Sequence, residues 1–150
     1  MNKQWIFFFL AIPIIGFTQD PPQGTNQINV RGIAFSRVVD TLQARGYEIK
    51  WIDNNHKTVR TTFKEAPDPN GRRSSFVYVS LRIRVKDSTA LISAKWYNAV
   101  YLNSRDDTEP VDSELLMVEW APGDALQLAF KQMDSFAKLF DKEISYTKAQ

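Results

Sequence analysis

The chain has 150 residues, a formal net charge of +2 and no cysteine. The missing cysteine excludes disulfide cross-links, thiol chemistry, thiolate metal sites and lipid attachment through an amino-terminal cysteine. A charge so near neutrality is silent about partners, so only its distribution along the fold carries information.

Lys3 precedes an uncharged run from Trp5 to Phe17, the pattern of a secretory signal peptide. The run falls short of the roughly 20 apolar residues of a membrane-spanning helix, and Pro13 interrupts it. Gly16 and Thr18, small and two apart, suit cleavage after Thr18. Residues 1–18 are therefore read as a signal peptide, and the remainder as periplasmic or secreted, with no membrane span after cleavage. Residues 19–27 contain Pro21, Pro22 and Gly24 and read as a flexible leader. A single α+β domain is expected over residues 28–146, with residues 147–150 as a tail.

Ile28 to Arg31 suit a short edge strand. Phe35, Val38, Val39 and Leu42 follow i, i+3, i+4, i+7 spacing, which predicts a helix from Ala34 to Arg45, closed by Gly46. Tyr47, Ile49 and Trp51 alternate with Glu48 and Lys50, and Val59, Thr61 and Phe63 alternate with Arg60, Thr62 and Lys64. Between them lies the turn sequence Asp53-Asn54-Asn55-His56, so the two runs predict a hairpin. Residues 66–75 read as a loop. Val77, Val79, Leu81, Ile83 and Val85 alternate with Tyr78, Ser80, Arg82, Arg84 and Lys86. After Asp87-Ser88, Ala90, Ile92, Ala94 and Trp96 alternate with Leu91, Ser93, Lys95 and Tyr97, which predicts a second, longer hairpin. Residues 103–119 form an acidic stretch, expected as a loop with one helical turn near Ser113 to Met117. Leu126, Phe130, Met133, Ala137 and Phe140 predict a broad-faced helix from Pro122 to Ile144.

These elements predict a two-layer α+β domain: an antiparallel sheet of four to five strands with two helices on one face, in the order strand, helix, four strands, helix. Four stretches carry a resemblance: Phe35 to Leu42, Arg45 to Ile49, Leu81 to Asp87, and Ile92 to Trp96. In their order the chain resembles the TATA-binding-protein-like fold of exported bacterial domains, and is similar to domains of the lipoprotein subunit of the barrel-assembly machinery. The resemblance implies binding or assembly and supplies no catalytic residue. A helix-grip fold, with the sheet curled around the last helix to form an apolar cavity, is the alternative.

No catalytic constellation emerges. His56 is the only histidine and sits in a turn; no nucleophile elbow, phosphate loop or dinucleotide fingerprint accompanies it. The chain is therefore read as non-enzymatic, with no catalytic residue, no metal ligand and no cofactor. Asp106, Asp107, Glu109, Asp112 and Glu114 lack calcium-loop spacing.

One pattern points outward. If the apolar set of each strand faces the helices, Lys50, Arg60, Lys64, Arg82, Arg84, Lys86 and Lys95 project from the opposite face, with Tyr78 and Tyr97 among them. Trp51 and Trp96 share the core parity. Guanidinium groups clamp carboxylates and phosphates through paired donors, so this basic face is the candidate ligand-binding site. The partners it suits are an acidic protein segment, an anionic glycan or a lipid headgroup. Its plain alternative is a solvated face, since one-sided sheets show charge to water. Self-association through the acidic stretch is a further option. Nucleic acid is not expected, given the export signal and sparse stacking residues. The competing functional reading is a small-molecule carrier with an apolar cavity between sheet and last helix.

Overall fold

The computed structural model describes residues 21–67, 75–100, 116–120 and 124–149. The signal-peptide reading and the acidic cluster from Asp106 to Glu114 lie outside them. Among the described residues no helix is long and apolar enough to cross a membrane.

The first strand, β1 (Gln27–Arg31), leads into helix α1 (Phe35–Ala44). The helix ends as the sequence predicts. The Gly46 N–H donates to the Gln43 carbonyl and the Tyr47 N–H to the Leu42 carbonyl, with Gly46 at φ +69°. This is a Schellman ending, which favours glycine at that position. Val38 and Leu42 are its buried residues.

Strands β2 (Ile49–Asp53), β3 (Thr58–Thr61) and β4 (Lys64–Glu65) follow, then the long pair β5 (Ser75–Lys86) and β6 (Thr89–Val100). Asp87 and Ser88 join β5 to β6 with φ of 49° and 57°, the two positive values of the tight hairpin turn that matches strand twist. A short β7 (Leu116–Met117), helix α2 (Asp124–Lys138) and β8 (Ile144–Thr147) complete the order. The sheet is antiparallel and runs β2-β3-β5-β6-β1-β8, with β4 beside β5 and β7 beside β6. The α+β class and the two helices agree with the sequence; the strand number exceeds the four to five expected.

Strands β7 and β8 depart from the sequence reading, β7 standing where a helical turn is expected, and β4 is the far end of the strand expected from Val59 to Lys64, split from β3. The last helix stops at Lys138, and Asp141, at φ 49°, turns the chain into β8 against β1. Tyr146 of β8 donates a 2.7 Å hydrogen bond to Asp134 of α2, whose other carboxylate oxygen meets Lys138. Burial and that carboxylate push the Tyr146 phenol up to about 12. Residues before β1, read as the end of a flexible leader, are hydrogen bonded: Gly24 N–H to Trp120 O, Trp120 N–H to Thr25 O, and Ala149 N–H to Asn26 Oδ1.

One core lies between the sheet and the helices. Ile28, Val30, Leu81, Ile83 and Ile92 from the sheet meet Leu42 of α1 and Phe130, Met133 and Phe136 of α2. Tyr47 joins the helical layer, edge-on to Phe136 at 5.6 Å and accepting a hydrogen bond from Gln132. Trp96 is 9% exposed and belongs to this core.

Candidate functional site

Two irregularities near the sheet edge decide which side chains share the outer face. In the β2–β3 pair, Ile49 opposes Thr61, but Trp51 opposes Arg60, so Lys50 is an extra residue. A bulge of this kind re-aims every side chain after it. Trp51 is therefore turned away from the core parity that the sequence assigns it and stands 49% exposed beside Arg60. This corrects the core reading of Trp51.

The second irregularity separates β3 from β4. Arg60 opposes Arg82, while Lys64 opposes Val79, so residues 61–63 face only residues 80 and 81. Thr61 stabilises this slip. Its hydroxyl oxygen accepts the Leu81 N–H at 3.0 Å, and its carbonyl accepts the Ser80 hydroxyl at 2.7 Å. The parity past this point is reversed. Phe63, expected inside, lies edge-on to Tyr97 at 5.0 Å. Lys64, expected outside, lies on the helix side: its ammonium is 4.5 Å from the centre of the Tyr47 ring and donates to the Arg45 carbonyl at 3.0 Å. Lys64 is thus removed from the candidate face by a one-residue shift.

The other predicted residues share the face, in rows set by register. Trp51, Arg60, Arg82 and Ser93 are successive cross-strand partners over β2, β3, β5 and β6. The adjacent row holds Ser80, Lys95 and Met117 over β5, β6 and β7. Ser93 ends the first row and Ser80 begins the second, so a short side chain stands beside long neighbours in each and leaves a depression. The result is a groove of about 370 Å³ lined by Lys50, Trp51, Arg60, Ser80, Arg82, Ser93, Ala94, Lys95 and Met117. Four of the predicted cations converge there. Arg84 and Lys86 continue along β5 beyond the groove, both exposed. Tyr78 and Tyr97 flank its other side, stacked at 5.1 Å with 13° between the rings.

Trp51 and Met117 are the large groove residues that sequence reasoning missed. Met117 is 48% exposed and reaches the face through the pairing of β7 with β6, inside a stretch read as loop. Trp51 carried a signal only in the run Asp53 to His56, too short a clue to locate the bulge. The hydroxyls of the floor are engaged, Ser80 with Thr61 and Ser93 with the Arg82 carbonyl. Among the described residues the lining is made of ammonium, guanidinium, hydroxyl and apolar groups.

His56 lies apart from the groove, in the β2–β3 turn. Its Nδ1 is 2.7 Å from Asp53, whose carboxylate also accepts the Asn55 and His56 backbone N–H groups. These bonds, the His56 backbone one first, hold Asp53 below the usual carboxylate range. The arrangement is a turn brace. Among the described residues no group of three His, Cys, Asp or Glu side chains is placed to hold a metal ion. No family model matches the chain, and neither does any curated protein.

Proposed function

We propose that this chain is a non-enzymatic, exported binding or assembly module whose basic sheet face takes an acidic partner. The observation that carries the reading is the convergence of Lys50, Arg60, Arg82 and Lys95 on one groove. Charges of one sign in a recess focus the field and raise the local concentration of anions, and paired arginines suit planar oxyanions. The export signal read from residues 3–17 supports a periplasmic or secreted setting. The order of β1, α1, the antiparallel strands and α2 is in keeping with the TATA-binding-protein-like reading, while the similarity to barrel-assembly domains rests on the sequence stretches alone. The carrier alternative finds less support, because Phe130, Met133, Phe136 and Ala137 fill the space between sheet and α2 at 2% exposure or less.

The test is direct binding at low ionic strength to three immobilised probes: polyglutamate, a sulfated glycan and vesicles rich in anionic phospholipid. Retention of at least one probe, weakened at least tenfold by Arg60→Glu/Arg82→Glu and unaffected by Lys142→Glu outside the groove, is the expected outcome. Loss of retention must occur with an unchanged melting temperature. Equal retention by the double variant removes the basic groove as the site.

A further inference from the structure

Building on that reading, we propose that the groove's occupant is an extended acidic polypeptide segment anchored at both ends by apolar side chains, with Trp51 and Met117 as the residues that receive them. Lys50 forms a bulge in β2. It takes a tryptophan out of the parity that would bury it and sets it, half exposed, at the head of a row of arginines. Bulges are used in sheets to re-aim a side chain. Met117 lies at the opposite flank, half exposed, across from Lys95. Tryptophan, methionine and arginine are the residue types that interfaces between proteins concentrate, and buried aromatic and arginine anchors supply most of their energy.

The geometry fits a chain laid across the strands. From β2 to β7 the face crosses four inter-strand steps of about 4.8 Å, roughly 19 Å in all. About six extended residues cover that span at roughly 3.3 Å each. Acidic side chains then fall over the row of Arg60, Arg82 and Lys95.

The same lining argues against the other two anions. Sugar hydroxyls need acceptors as well as donors, and the described residues that line the groove include no Asp, Glu, Asn or Gln. A bilayer presents a broad surface and favours protruding cations, whereas these line a recess between two apolar walls.

The experiment is selection from a random heptapeptide library on the folded domain, run beside the glycan and vesicle probes. Enriched peptides should carry two or more acidic residues flanked by aromatic or aliphatic ones. Synthetic copies should lose at least tenfold in affinity with Arg82→Glu, and severalfold with Trp51→Ala and with Met117→Ser. Enrichment without acidic bias, or affinity indifferent to Trp51→Ala, overturns the peptide assignment. So does groove-dependent binding of glycan or vesicle with no peptide enriched, an outcome that leaves the basic site itself standing. Failure of all three probes overturns both.

Discussion

Trp51 and Trp96 show how the same side chain takes opposite roles in neighbouring parts of one sheet. Trp96 is 9% exposed against 49% for Trp51, so only the first contributes its full apolar area to the fold. Trp51→Ala should change unfolding free energy by less than about 1 kcal/mol, as surface substitutions do. Phe136→Ala, in the packed layer with Tyr47 and Phe140, should cost about 3–5 kcal/mol. Urea denaturation of both variants checks the contrast; a comparable loss at Trp51 would mean that the tryptophan is structural. Asp53 and Tyr146 contribute to the pH dependence with opposite signs. Asp53 is held below its ordinary value of 3.8, so its contribution is present above that pH and fades as pH falls through the lower folded value. Tyr146 is raised from 10.0 to about 12. Its contribution is intact below 10 and is lost as pH rises through the window from 10 to 12. Tyr146→Phe should therefore flatten the alkaline limb of a stability-versus-pH curve and remove one late phenol from an ultraviolet titration.

At the scale of elements, the outer face depends on irregular pairing at the β2–β3–β4 edge. Thr61, 1% exposed, replaces a backbone acceptor for the Leu81 N–H. Thr61→Val keeps the volume and leaves that buried donor without its partner, at a cost of about 1–3 kcal/mol, measurable by denaturation. Thr61→Ser, which retains the oxygen, should cost less. Strand β8 closes the other edge, burying β1 between itself and β6. Ending the chain after Lys142 should lose on the order of 3 kcal/mol or more from apolar burial alone and lower the melting temperature accordingly.

These elements also explain what the residues disclosed in advance. Helix α1 was legible because its apolar stripe ends at a glycine, and β5 and β6 because strict alternation over long arms admits one parity. The slips at Lys50 and at residues 61–63 were not legible. A bulge is stabilised by a hydroxyl reaching a backbone group on another strand, Thr61 to Leu81, and no local pattern records that pairing. Strand β8 was hidden for another reason. Ile144 prolongs the apolar stripe of α2, and the turn before it uses Asp141 at positive φ, where a glycine would have announced the stop.

For the whole molecule, the consequence is a division of labour between the two faces of one sheet. Helices cover one face and fix the core; the other carries four converging cations between a tryptophan and a methionine. The neutral end of that outer face, where Gln27 and Asn29 bond Thr147 and Ser145, lies away from the groove and should be indifferent to anions. Backbone amide shift mapping by NMR, with a short polyglutamate peptide titrated into the protein, tests the account most directly. The largest shifts are predicted at Trp51, Arg60, Arg82, Lys95 and Met117, with Asn29, Ser145 and Lys64 unmoved. Saturable shifts centred on α1, β8 or the Lys64 side of the sheet, with the groove silent, would contradict it.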